Sequence, residues 1–340
     1  MTKASDTPAI IMTATNSLQY YRPIVQAICE RERISYSALS PGYESTAAVF
    51  LLDNRFALKV HRGDNCHAVE RAVLEELSAV EELPTPCVRA AGVIDRDGTW
   101  SYILMDQVLG SPLRDVWPHI DEHSRRAIAA ELGCIICTLH HSLTEPLKDT
   151  LDSQGRGWQE VRQKLDADRR DLISRIQSAP PDRPALHFWY DLIQLLETAR
   201  VPTSPDLLLT HRDLTEDHLY VLRRDGRWRV SGLIDFGDAA LGPRQLDWPD
   251  LRFCMFDRDS HAMQSFWHSY HGSGDPDEDL PVCLALTAGS LGFLQWLPVW
   301  FSRCEMMSLH NTLDLQDRLW PRDLLGDQQA TARSGHKQGA

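Results

Sequence analysis

His211-Arg212-Asp213-Leu214, followed by Ile234-Asp235-Phe236-Gly237, decides how this chain is read. Asp213 lies just past an apolar run, Leu207-Leu208-Leu209-Thr210, which reads as a short buried strand or turn. Asp235 lies just past a second one, Val230-Ser231-Gly232-Leu233-Ile234. Between them, Leu219-Tyr220-Val221-Leu222 and Arg227-Trp228-Arg229-Val230 flank Arg223-Arg224-Asp225-Gly226, the signature of a hairpin turning at Asp-Gly. A hairpin brings its two ends together. The two carboxylates are therefore expected close in space, although 22 residues separate them in sequence.

Two acids placed in this way suit phosphoryl transfer to a hydroxyl. That chemistry needs in-line positioning, charge neutralisation and a group that orients the attacking oxygen. Asp213 fits the last role, accepting the hydroxyl proton as the bond forms. Asp235 fits a hard cation, Mg²⁺ bridging the β- and γ-phosphates of ATP. A single Asp capping a turn beside a strand would be ordinary; the paired motifs at this spacing are not. The pattern H-R-D-x-x-x-x-N expects Asn five residues after the Asp, where this chain has His218. Imidazole binds divalent metals, although Mg²⁺ prefers oxygen. His218 is thus a candidate second metal ligand, with a hydrogen bond to Asp213 or to a phosphate as the alternative. Asp217, beside it, is a candidate oxygen donor through water.

Upstream, Phe56-Ala57-Leu58-Lys59-Val60 is an apolar strand carrying one Lys. From His67 to Glu82, apolar residues fall at helical spacing. Glu70 on this helix is the expected partner of Lys59, holding it against the α- and β-phosphates, with Glu75 as the fallback. Ser40-Pro41-Gly42-Tyr43-Glu44-Ser45-Thr46 is a candidate phosphate-covering turn, with Ser45 its cofactor-binding candidate; a plain hairpin loop is the alternative. Tyr102-Ile103-Leu104-Met105 reads as a buried strand ending at Asp106-Gln107-Val108-Leu109-Gly110, a connection between two lobes. There the Asp106 carbonyl and the Val108 amide are placed to read adenine.

Taken in order, these pieces resemble the aminoglycoside phosphotransferase family, small-molecule kinases of the protein-kinase-like superfamily. Further pieces are Pro84-Thr85-Pro86, Leu139-His140, Asp238 and Gln245-Leu246-Asp247, and the resemblance spans about residues 35 to 325. It implies an α+β fold of two lobes, a small β-rich N-lobe and a larger, mainly helical C-lobe. It also implies that Lys59 binds phosphate, Glu70 holds Lys59, Asp213 is the base, and Asp235 binds Mg²⁺. Asp247 would brace the loop of His211 and Asp213 from a helix, with His211 as structural support. Within the family, Gly42-Tyr43-Glu44-Ser45-Thr46 and Gly232-Leu233-Ile234-Asp235-Phe236 are most similar to the hygromycin B phosphotransferases. Two departures stand out: His218 replaces Asn, and Arg212 replaces the more usual Gly. Only 12 residues separate Asp235 from Asp247, and Ala-Pro-Glu is missing, so no activation loop able to hold a polypeptide fits there.

Composition limits the alternatives. The net charge is −13, from 35 basic and 48 acidic residues, which disfavours nucleic acid and favours a cationic substrate. Eight scattered cysteines without a secretory signal point to the reducing cytoplasm. Cys134-Ile135-Ile136-Cys137 has no second C-x-x-C to complete a zinc site and reads as buried small residues of an amphipathic helix. His140-His141 ends that helix and reads as packed or capping rather than ligating. Leu280 to Phe301 is uncharged but broken by Pro, Gly and polar residues, so a buried helix is expected there rather than a membrane span. Trp296 and Trp300 are either core or pocket lining.

The expected organisation is a helical leading segment (1–34), the N-lobe (35–105), a connection (106–110), the C-lobe (111–325) and a disordered tail (326–340). Asp250, Asp257, Asp259 and Glu305 are candidate carboxylates for substrate ammonium groups. The expected activity is ATP-dependent phosphorylation of a hydroxyl on a small cationic molecule, an aminoglycoside of hygromycin type. A metabolite hydroxyl (amino alcohol or sugar) is the alternative substrate, and a nucleotide-binding pseudokinase the alternative function.

Overall fold

A five-stranded antiparallel sheet organises the first of two compact units. In the computed structural model the described residues are 14–42, 47–63, 67–181, 186–198, 205–271, 283–284, 286–287 and 293–321. The first unit comprises Met1–Glu75 and Pro86–Gln107; the second comprises Glu76–Thr85 and Val108–Ala340. The leading helix thus belongs to the sheet unit, and residues 76–85 belong to the other. The tail expected from residue 326 lies outside the described residues.

The sheet contains β1 (Leu39–Pro41), β2 (Ala48–Leu52), β3 (Phe56–Arg62), β4 (Val88–Asp95) and β5 (Thr99–Asp106). Alternation along the strands gives it two different faces. Phe50, Leu52, Leu58, Val60, Trp100, Tyr102 and Leu104 turn to one side. Against them packs α1 (Ala14–Glu32), through Ile24, Val25, Ile28 and Cys29, a stripe at helical spacing. Helix α1 continues through Pro23. The Tyr102 hydroxyl donates to Glu32, tying strand to helix, and burial pushes the Tyr102 phenol up to about 12. The other face carries Lys59 and meets α2 (Ala68–Leu77), which stops short of the expected Glu82.

The second unit is mainly helical. Its helices include α3 (Leu113–Val116), α4 (Glu122–His140), α5 (Glu145–Ser153), α6 (Trp158–Ser178) and α7 (Leu186–Thr198), then α8 (Trp248–Asp250) and α9 (Ser260–His271). Asp121 caps α4, its carboxylate accepting from the Ser124 amide at 2.9 Å. The cysteines of the C-x-x-C do not lie in the core as expected: Cys134 is exposed and Cys137 half-buried. The stripe of α4 that is buried is Ile128, Leu132, Ile135, Ile136 and Leu139 instead. Of the stretch Leu280–Phe301, the continuous described element is the short helix Phe293–Trp300. Phe293 and Leu297 are buried in it, while Trp296 and Val299 stand exposed. No single helix among the described residues is long and apolar enough to cross a membrane.

Two small β elements interrupt the helices. Strand β6 (Ser111–Pro112) joins β8 (Leu219–Arg224), which pairs with β9 (Arg227–Leu233). The turn between β8 and β9 has positive φ at Asp225 (51°) and Gly226 (78°), the backbone that an Asp-Gly hairpin adopts. Strand β7 (Leu208–Thr210) pairs antiparallel with β10 (Ala240–Gly242). Each acid of the two quoted motifs thus lies beyond a short strand.

Candidate active site

In the sheet unit, Lys59 occupies the middle of β3, between Val49 on β2 and Ile103 on β5. Only 8% of it is exposed. Its Nζ donates to both carboxylate oxygens of Glu70, at 3.1 and 3.0 Å. Glu70 sits in the first turn of α2 and is 2% exposed. Two charges taken this far out of water need each other, since removing one strands the other without solvent. Glu75, the fallback partner, instead receives Arg71 Nε at 2.8 Å, in a half-exposed pair.

The other candidates of this unit fare differently. Ser45 lies outside the described residues. Asp106 ends β5; its amide donates to the Cys87 carbonyl at 2.9 Å, and its carboxylate holds Arg89 at 2.7 and 2.5 Å. In the second unit, Val108 packs onto Gly232, where an added Cβ would stand 2.1 Å from Val108 Cγ1. Only glycine permits that approach.

The second unit presents the paired acids. Leu219 lies opposite Leu233 at the base of the hairpin, and the Ile234 amide donates to the His218 carbonyl at 3.0 Å. This closes the loop that begins at Asp213 against the segment that carries Asp235. His218 stands between the two acids. Its Nδ1 lies 2.8 Å from the Asp213 carbonyl, 3.2 Å from Thr215 Oγ1 and 3.5 Å from Asp213 Oδ2. Its Nε2 lies 3.5 Å from Asp235 Oδ2. A carbonyl only accepts, so Nδ1 carries the proton. With Nδ1 carrying the proton, a ring without a second one would turn its Nε2 lone pair toward the Asp235 carboxylate. Two acceptors facing each other at this range fit a shared divalent cation. The described residues contain no convergent cluster of three or more His, Cys, Asp or Glu. The donor set therefore suits an ion completed by phosphate and water, as Mg²⁺ commonly is.

Beneath this pair the loop is pinned by Asp247, which is fully buried. Its Oδ2 accepts from the His211 amide at 3.1 Å and its Oδ1 from the Arg212 amide at 2.7 Å. It lies at the junction between a 3₁₀ turn and α8. His140 Nε2 is 2.9 Å from the same carboxylate, and its Nδ1 is 2.7 Å from the Tyr270 hydroxyl. Burial alone would raise the Asp247 carboxyl, but the hydrogen bond and charge of His140 and the amide donors hold it below the ordinary range. His211 is fully buried and lowered to about 4, by burial first and the neighbouring His218 second, against the pull of Asp247. Its Nε2–H donates to the Ile234 carbonyl at 3.0 Å, linking the two motifs directly.

Both motif backbones pass through the left-handed region, with φ 65° at Arg212 and 65° at Asp235. That is where glycine is at ease and other residues pay strain, which explains why Gly suits position 212. Asp217, expected as an oxygen donor to metal, turns instead to Arg114 at 2.9 Å. Of the four candidate ammonium acceptors, Asp259 caps α9 through the Ala262 amide and approaches Arg125 at 3.6 Å. Glu305 closes a capping box with Ser302. Asp250 differs: burial, then the charges of Asp247 and Asp213, push its carboxyl up to about 8. It ends α8, just ahead of a π-turn at Leu251–Met255. Glu216, which sequence did not single out, is also raised, mainly by burial.

The sequence profile of the phosphotransferase enzyme family matches residues 35–282. No curated protein matches the chain in sequence. Among solved structures, the GDP complex of aminoglycoside 2'-phosphotransferase-IIIa aligns with a TM-score of 0.61 at 18% identity, over 93% of this chain and 99% of its own. The streptomycin–ATP ternary complex of APH(2'')-IIa gives 0.55 at 15%, over 82% and 93%. APH(3'')-Id from Streptomyces rimosus gives 0.52 at 18%, over 80% and 98%. At these identities the likeness is one of fold, and it carries the kinase-like α+β architecture. With the family profile covering most of its length, the chain belongs to the phosphotransferase enzyme family and is a small-molecule phosphotransferase of protein-kinase-like fold.

Proposed function

We propose that the protein moves the γ-phosphate of ATP to a hydroxyl of a cationic, aminoglycoside-type molecule, hygromycin-like in charge and ring content. The observation that carries this reading is the arrangement around His218, with Asp213 on one side of the ring and Asp235 on the other. Asp213 would take the proton of the attacking hydroxyl. Its side chain is 38% exposed, open enough for a substrate to reach. Asp235 and His218 Nε2 would hold Mg²⁺, which when bound neutralises charge on the transferring phosphoryl group. In the sheet unit, Lys59, fixed by Glu70, would contact the phosphates; the Asp106 carbonyl there and the Val108 amide of the second unit would read the base. Asp247 and His211 would keep the loop in register.

Two observations support a cationic acceptor. The chain carries a net charge of −13, and the charges of Asp213, the candidate base, and of Asp247 both bear on Asp250. A solved structure of the same fold also carries streptomycin beside ATP.

The test is a mass screen for phosphorylated product. Hygromycin B, other aminoglycosides, amino alcohols and free sugars would be offered with ATP and Mg²⁺. The proposal expects an added phosphate on an aminoglycoside. Product only on an amino alcohol or sugar would replace the substrate class. ATP binding with no product on any acceptor would favour a nucleotide-binding module.

A further inference from the structure

Helix α2 leaves a cavity of about 410 Å³ against the sheet of its own unit. That volume lies within the range of small-molecule sites, roughly 300–1,000 Å³. Its origin is legible in the side chains. On the helix, Ala68 and Ala72 face the gap; on the sheet, Ala91 and Gly92 of β4 and Ser101 of β5 do so. Gly92 lines the gap with backbone alone. Strand β4 is an edge strand, so the cavity opens at the side of the sheet. Further along α2, Val73, Leu74 and Leu77 are fully buried, so the helix is anchored by one stripe and underpacked beside it.

Polar groups on the wall define what would fill the space. His67 is 7% exposed, and its Nε2 is buried without a hydrogen-bond partner. A buried polar atom left unmatched is costly and rare. Its Nδ1 lies 3.7 Å from Glu70 Oε2, which favours the proton on Nδ1 and leaves Nε2 as an acceptor. Arg71, one turn along, is half-exposed in an ion pair with a half-exposed Glu75. Such pairs contribute little, so the guanidinium can take another carboxylate. A matching ligand therefore offers a donor to His67, a carboxylate to Arg71 and a flat apolar body to the small side chains between them.

We propose that this cavity is a regulatory site for a small aromatic acid bearing an N–H or O–H donor, and that its occupancy pins α2 and with it the Lys59–Glu70 pair. The coupling to nucleotide, though not the binding itself, rests on the phosphate-holding role proposed above for Lys59. His67 immediately precedes α2, three residues before Glu70, whose carboxylate faces both Lys59 Nζ and His67 Nδ1. A ligand that orders His67 therefore acts on the group that positions Lys59.

The experiment titrates the full-length protein with indole-3-acetate and 4-hydroxybenzoate, with benzoate as the donor-free control, by saturation-transfer NMR. Saturable binding of the first two is expected, with benzoate weaker by about fivefold or more. Arg71→Gln should weaken binding and Ala72→Trp should abolish it, both with thermal unfolding retained. A non-hydrolysable ATP analogue should not displace the acids, and its own affinity should rise about fivefold when they are bound. Absence of saturable binding, displacement by the analogue, or undiminished binding in both variants would overturn the site. Binding with unchanged analogue affinity would overturn the regulation. A wild-type protein that binds no nucleotide would count against the proposed function, while the acid titration would still judge the cavity.

Discussion

The two units solve the burial of charge in opposite ways. In the sheet unit, Lys59 and Glu70 are both nearly solvent-free and neutralise each other at 3.0 Å. In the second unit, Asp213 and Asp235 flank an imidazole, and further acids crowd in from Asp238, Asp247 and Asp250. The first arrangement holds one cation in one place. The second accumulates negative charge, relieved in part by backbone amides on Asp247, while burial and the neighbouring acids push the Asp250 carboxyl up to about 8. A closed ion pair is a positioning device. A half-exposed acidic cluster around a lone pair is a place for incoming positive charge, from a metal ion and from substrate.

The contrast can be broken at the ion pair first. Lys59→Met strands the Glu70 carboxylate and should cost ~3–5 kcal/mol in chemical denaturation. Lys59→Met with Glu70→Leu should recover most of that stability while turnover stays lost; a double variant as unstable as the single one would refute the compensation. The second unit can be probed by pH. Unfolded histidine titrates near 6.5 and His211 near 4, so between these values the unfolded chain binds the extra proton. Stability owed to neutral His211 is full above about pH 6.5 and falls by about 3 kcal/mol as pH drops to about 4. Denaturation midpoints against pH should show this loss, and His211→Gln should flatten it. The smallest effect is expected at Arg212, whose φ of 65° strains a side-chain-bearing residue. Arg212→Gly should gain about 1 kcal/mol or less, a gain read as a rise in melting temperature.

Much of this contrast is legible in the residues. The hairpin announces itself through Asp225-Gly226 and two alternating runs, and its closure brings His218 against Ile234. Lys59 and Glu70 follow from an apolar strand and a helix with 3.6-residue spacing. Other features depend on packing that spacing does not encode. Cys134 and Cys137 sit on a helix whose apolar residues nearly surround it, so periodicity cannot say which side is covered. Asp217 is as suitable a metal donor as any acid until Arg114, 103 positions away, claims it. The raised carboxyl of Asp250 comes first from burial, then from nearby Asp247 and from Asp213 far back in the sequence, so only coordinates distinguish it from Asp257 or Asp259. The left-handed backbone at Arg212 was hidden because arginine gives no hint of it.

Separate duties for the two acids are the core of this account. Its most direct measurement is Mn²⁺ affinity, by electron paramagnetic resonance in the presence of a non-hydrolysable ATP analogue, for Asp213→Asn and Asp235→Asn. Asp213→Asn should keep wild-type Mn²⁺ affinity while phosphoryl transfer falls by about 10²–10⁴. Asp235→Asn should lose Mn²⁺ binding and transfer together. Wild-type Mn²⁺ affinity in Asp235→Asn, or full transfer in Asp213→Asn, would contradict the assignment.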